Sequence, residues 1–264
     1  MQPRTVRAGH GWTWITEGFA LFRKSPANWL GLLLALFAAT KLLALVPVPS
    51  LVFVFSVVFV LLMPIFIVGL MEGCRSLERG ERLQFMHLAC GFQTNASKLV
   101  TLGGISLVGN LAVMMIVMSL GGEAISIMTK TVAAGIEPGS PTPEIQAASA
   151  TVVRALLIGM FLSLPLLMAL WFAPLLVYFD DMSVLGAMKS SFTASAKNAP
   201  AMLVYGLSVM GGMFLAMPVA MALRQPDIAL WLLAPVVLPS LYASYKDLYH
   251  AGPAPQARPD SLAA

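Results

Sequence analysis

The side chains in this chain that could do chemistry are few and scattered. Asp180 and Asp181 stand side by side, a pair that can hold a metal ion or start a helix. His10, His87 and His250 lie far apart and lack the spacing of a metal-ligand set. Cys74 and Cys90 read as reduced small hydrophobes. Methionine is abundant, with a stripe at Met210, Met213, Met217 and Met221 and a cluster at Met114, Met115 and Met118. Thioethers suit Cu(I), but no Cys or His joins the stripe, and methionine also fills irregular helix contacts. No GxxxxGK(S/T), HExxH or GxSxG motif occurs. The residues therefore predict no catalytic, cofactor or metal site, and a non-enzymatic protein. The best binding candidates are the cations Arg23, Lys24, Arg79, Arg82 and Lys197, as contacts for lipid headgroups or for a protein partner.

The elements that must position those cations are set by composition. At 58% hydrophobic and 11% charged residues, with a mean hydropathy of +0.83, the chain lies outside the range of soluble domains. Six apolar runs are long enough to cross a bilayer, at about 27–46, 50–71, 98–120, 152–178, 201–222 and 228–246. They lack the alternating polarity of a membrane β-barrel, so the expected fold class is an all-α integral membrane protein with six transmembrane helices. No segment between the runs could bury a core of its own, so one membrane domain is expected over 1–249. The tail 250–264, rich in Pro and Ala, is expected to be disordered and cytoplasmic. Trp12, Trp14, Glu17 and a basic pair precede the first run, unlike a cleavable signal, so that span is expected to be retained.

The spans fall into three units, about 11–71, 76–180 and 181–249, each an amphipathic basic elbow followed by an apolar hairpin. Trp12, Ile15, Phe19 and Phe22 share one helical face in the first elbow. Phe85, Leu88, Ala89 and Phe92 do so in the second, and Leu185, Met188 and Phe192 in the third. Each elbow ends at a membrane-edge junction: Lys24-Ser25-Pro26, Asn95-Ala96-Ser97 and Asn198-Ala199-Pro200. Gly103 and Gly109 correspond to Gly206 and Gly212 further along, small residues that let membrane helices approach. The second spans carry Pro and then an acid: Pro64 and Glu72, Pro174 and Asp181, Pro239 and Asp247. Three parallel repeats about an axis along the membrane normal account for this register.

Charge sets the orientation. Arg4, Arg7, Arg23, Lys24, Arg75, Arg79, Arg82, Lys98, Lys189, Lys197, Lys246 and Arg258 fall on one side. Lys41, Lys130, Arg154 and Arg224 fall on the other, and basic loops stay in the cytoplasm. Both termini are therefore expected in the cytoplasm, with the connection 121–151 and its EPGSPTPE stretch outside it. The net charge of +4 follows from this bias and needs no nucleic-acid partner. Lys41 and Arg154, near outward span ends, read as snorkelling cations. Asn110 reads as an interhelical hydrogen-bond donor. Trp29, Tyr178, Tyr205, Tyr242 and Tyr245 read as an inner aromatic belt.

The opening RAGHGWTWITEGFALFRKSPANWL, with six spans and this length, resembles an uncharacterised family of betaproteobacterial integral membrane proteins. The elbow-and-hairpin unit also looks like the multi-span membrane domain beside some glycerophosphodiester phosphodiesterases, although no catalytic domain of that kind is present here. The first resemblance implies an inner-membrane location, and it implies no activity and no site residues.

Overall fold

The computed structural model describes residues 2–45, 47–133 and 142–250. Residues 134–141 of the expected outward connection, and the tail from 251, lie outside them. Among the described residues there are helices and no strands. The helices are α1 (His10–Lys24), α2 (Pro26–Ala44), α3 (Pro49–Glu78), α4 (Cys90–Gln93, entered through a 3-10 turn at Phe85–Ala89) and α5 (Ala96–Ala133). There follow α6 (Pro143–Leu170), α7 (Ala173–Phe179), α8 (Val184–Lys197), α9 (Ala199–Ala222) and α10 (Ile228–Tyr249).

Among the described residues five helical stretches are long and apolar enough to cross a membrane: Pro49–Glu78, Ala96–Thr131, Pro143–Phe179, Ala199–Ala222 and Ile228–Tyr249. The first expected span is an apolar helix too, but a shorter one. The third is much longer than its hydropathy implies. At 1.5 Å per residue the 38 residues of α5 reach about 57 Å, nearly twice a hydrocarbon core of about 30 Å. Its last turns occupy what reads as a loop in the sequence. The Gly121-Gly122 pair does not stop it, because Gly121 lets α5 close on Ala155 of α6.

The fourth span is broken at Trp171 and Phe172 instead of running through. Pro174 cannot donate into the preceding turn, so backbone groups come free inside an apolar region. Ser191 of α8 satisfies them: its Oγ donates to Met168 O at 2.7 Å and accepts from Phe172 N at 3.0 Å. Ser195 reaches the same carbonyl at 3.4 Å. Both serines are buried.

Elbow helices pack on hairpins of other units. α1 lies across α9 and α10, the 85–93 elbow lies on α3, and α8 lies on α6 and α7. Small residues make the crossings close. A Cβ on Gly18 would sit 2.6 Å from Ser240 N, and one on Gly91 would sit 2.8 Å from Ile65 O. Gly103 meets Leu61, Gly109 meets Leu166 and Gly212 meets Leu233, whereas Gly206 faces open space. Among the longer helices, α3 packs on α5, α5 on α6 and α9 on α10. α2 leans on α10 rather than on α3, through an edge-on Phe37–Trp231 contact and a Lys41–Asp227 ion pair of 2.7 Å. Lys41 is thus paired at its span end rather than simply snorkelling.

The core sits at the elbow end. Trp14, Trp29, Ile65, Val68, Met71, Leu99, Leu102, Phe172, Leu175, Leu176 and Leu248 form one continuous buried cluster. Trp29, Tyr205, Tyr242 and Tyr245 belong to it, so they are core residues and not a lipid-facing belt. At the other end the span surfaces, including Phe53, Met160, Phe161, Phe214 and Leu215, are exposed. Most of the methionine stripe points outward with them. Asn110 donates to Ser106 of its own helix, at 2.7 Å, so it bridges no helices.

Candidate functional site at the elbow end

The three junctions after the elbows share one task. Lys24 Nζ donates to Leu77 O at the end of α3 (3.2 Å). Asn95 Nδ2 donates to Val177 O of α7 (3.1 Å) and to Asp181 Oδ1 (3.0 Å). Asn198, fully buried, donates to Arg4 O (3.0 Å) and accepts from Val6 N (2.8 Å), while Arg4 N bonds Leu248 O of α10 (2.9 Å). Each junction therefore ties the elbow to the end of its own unit's second hairpin helix, through the N-terminal segment in the third case. Asn95 and Asp181 both hold left-handed backbone, at φ 56° and 49°, which Asn and Asp tolerate better than other side chains.

Acidic residues at the helix ends are occupied by donors from other elements. Asp247 accepts from Trp14 Nε1 and His10 Nδ1, both at 2.8 Å, and pairs with Arg4. Asp180 accepts from Tyr245 OH at 2.7 Å and lies 3.4 Å from His250 Nε2. Glu78 accepts from Lys246 Nζ at 2.6 Å and Tyr242 OH at 3.2 Å. The last turns of α10 thus clamp α1, α3 and α7 together. Asp180 and Asp181 do not start α8; Ser183 caps it, accepting from Gly186 N at 3.3 Å. Of the expected acids Glu72 stands apart, with only a loose contact of 3.7 Å to Arg75.

Two acids off the spans have displaced titrations of opposite sign. Desolvation beside α10, then the nearby Asp247 carboxylate, push the Glu17 carboxyl above its usual range. Hydrogen bonds from Lys98 and Asn95, with the Lys98 charge, pull Asp181 below it. Among the described residues no three His, Cys, Asp or Glu side chains converge as a metal site would require.

The five candidate cations are all exposed. Arg23 and Lys24 end α1; Arg79 and Arg82 follow α3. Lys24 reaches Leu77 O, and Asn28 Nδ2 reaches Leu83 O at 2.9 Å, so the loop that carries Arg79 and Arg82 runs beside the α1–α2 junction that carries Arg23 and Lys24. Lys197 stands apart at the end of α8.

The elbow faces are the reverse of a soluble amphipathic helix. In α1 the buried face is Gly11, Trp14, Gly18 and Leu21, while Trp12 (58% exposed) and Phe19 (45%) point away from the protein. In α8 the buried face is Ala187, Ser190, Ser191, Ala194 and Ser195, with Leu185 and Phe192 outside. In the second elbow Phe85, Met86 and Phe92 are exposed. Sequence reasoning missed Ser191, Glu78 and the clamping role of Asp180; it named Asn198 as a junction residue and Asp247 as a unit-ending acid without seeing what they bond. Pro174 within an apolar run was the readable signal for Ser191.

No family model matches the chain, and no solved structure matches it. A relative does: the chain is 30% identical to a probable inner membrane protein of Burkholderia thailandensis, over 94% of its own length and 93% of the relative's. That relative comes from the bacterial group that the opening segment suggested. Spanning-length helices and near-complete coverage agree on one assignment: the chain belongs to this family of inner membrane proteins.

Proposed function

We propose that the protein is a six-span, non-enzymatic inner-membrane protein whose elbows form a cytoplasmic surface for anionic lipid headgroups. The carrying observation is the outward turn of large apolar side chains on all three elbows, with Arg23, Lys24, Arg79, Arg82 and Lys197 exposed beside them. A helix of that kind lies in the headgroup plane with its apolar face in the acyl region and its cations at the phosphates. The excess of Lys and Arg at the elbow end supports a cytoplasmic position for it and for both termini. α2, with 19 residues and a length of about 28 Å, supports the sixth span. The three like junctions and the elbow-on-hairpin packing support a threefold repeat within one membrane domain.

The alternative is a permease or exporter for a neutral or amphiphilic solute, and it rests on prolines at membrane depth: Pro64 in α3, Pro165 in α6, Pro174 in α7, Pro218 in α9, and Pro235 and Pro239 in α10. It gains nothing from the elbow end, which is filled by aromatic and leucine side chains. A protein partner is the other occupant this surface could take.

The test is purification of the full chain from native membranes and identification of what remains bound. The reading expects anionic phospholipid enriched over the bulk membrane, with that enrichment lost when Arg23, Lys24, Arg79, Arg82 and Lys197 become Gln. Unchanged lipid in that variant, or a stoichiometric protein lost from it, would overturn the headgroup reading.

A further inference from the structure

The three elbow corners are built alike but not charged alike. At the second, Lys98 is neutralised by Asp181 at 2.7 Å. At the third, Arg4 is neutralised by Asp247 and Asn198 is filled by the N-terminal segment. The corner between the first and second elbows has no such internal partner. Arg23 lies over the Phe19 ring and Lys24 bonds only a carbonyl. Arg79 and Arg82 make no ion pair among the described residues. Glu78, the nearest helix-end acid, is occupied by Lys246 and Tyr242, which leaves Glu81 as the one acid within the 79–82 loop.

This charged corner continues into an apolar groove. Arg82 lies three residues before Phe85. Asn28 holds Leu83 O, and the Phe85 ring sits 3.7 Å from the Cβ position of Gly31 in α2. Phe66, Phe85, Met86, Leu88, Ala89 and Phe92 line the groove, an open apolar trough of about 320 Å³. No charged residue lines it.

We infer that this corner binds one anionic diacyl phospholipid, its phosphate held by Arg23, Lys24, Arg79 and Arg82 and one acyl chain seated in the groove. The inference rests on the headgroup reading above and adds a single defined site to it. The occupant follows from complementarity: an end with four cations and one acid, joined to an uncharged slot, matches an anion joined to a hydrocarbon chain. A soluble anion would leave the slot empty, and a neutral lipid would leave the cations unpaired.

The experiment is titration of the purified full chain in mild detergent with phosphatidylglycerol or phosphatidylcholine, counting bound lipids by native mass spectrometry. One tight dioleoyl phosphatidylglycerol per chain is expected, with phosphatidylcholine and dihexanoyl phosphatidylglycerol both much weaker. Since each surface cation contributes severalfold in affinity, the Arg79→Gln/Arg82→Gln variant should bind about tenfold more weakly or worse. The exposed control Lys189→Gln should match the wild type. Ala89→Phe, which fills the slot, should weaken the long-chain lipid and leave the short-chain lipid unaffected. If the arginine variant weakens binding while chain length and Ala89→Phe change nothing, no chain is seated and this inference falls, with the headgroup reading intact. If the arginine variant binds as the wild type does, this inference falls, and the headgroup reading falls with it only if the variant lacking all five cations also binds unchanged.

Discussion

Asp247 is the residue on which the elbow end depends most. It is largely buried and accepts from an indole, an imidazole and a guanidinium that belong to α1 and the N-terminal segment. Asp247→Ala takes the acceptor from the indole and the imidazole and removes the carboxylate that pairs with Arg4, and losing a partly buried, charge-assisted set of this kind costs about 1–3 kcal/mol. A clear drop in thermal midpoint in detergent is expected, and it should exceed the drop for an exposed acid such as Glu144. Glu17 and Asp181 respond to pH in opposite senses. A raised native pKa means that ionising Glu17 disfavours the folded state, so its penalty appears above the native pKa and disappears as pH falls through it. Glu17→Gln should therefore raise the thermal midpoint at pH 7 and converge on the wild type in acid. A lowered native pKa means that Asp181 stabilises the fold above its unfolded pKa and that this contribution disappears as pH falls through the native one. Asp181→Asn should thus be less stable at pH 7 and no different once the wild-type carboxyl is protonated. Thermal scans of both variants across pH 3–7 would settle the signs.

At the scale of elements, hydropathy located the long helices but not how they end or face. Residues 152–178 read as one span because the run is almost wholly apolar, with Arg154 at its outward end. The break at Trp171 depends on Ser191, which is distant in sequence and supplies both a donor and an acceptor. α5 outruns its apolar stretch because contact with α6 through Gly121 and Val117 sustains a helix whose composition looks like a loop. The elbows were found by their large apolar residues, yet Trp12, Phe19, Phe85, Phe92, Leu185 and Phe192 among them point outward, while Ile15, Phe22, Leu88 and Met188 pack on the core. The docking faces set Gly11 and Gly18 beside Trp14 and Leu21 in α1 and Ala187, Ala194 and three serines in α8, and a search for hydrophobic patterning does not register small residues as a packing surface. Two substitutions probe this. Ser191→Ala strands Phe172 N and leaves Met168 O with the longer bond from Ser195, at a cost of about 1–3 kcal/mol, and should lower the thermal midpoint. Gly18→Leu places a side chain where Ser240 N lies 2.6 Å from the Cβ position, and should lift α1 off α10. Faster proteolysis within α1 would report that release, whereas unchanged protection would count against the close crossing.

For the whole molecule, the spans hold almost no charge and the polar organisation is concentrated at one end. Asp247, Asp180 and Glu78 join the three units there, with α10 contributing to each junction. The elbows surround this clamp with their apolar faces outward and their cations exposed. On the function we propose, the elbow end is a cytoplasmic platform set into the inner leaflet. The most direct test is compartment labelling. In a Cys74→Ala/Cys90→Ala background, Arg79→Cys should react with a membrane-impermeant maleimide in inverted inner-membrane vesicles and be protected in intact spheroplasts. Labelling of Arg79→Cys in spheroplasts, with protection in inverted vesicles, would place the elbows on the opposite face and contradict the account.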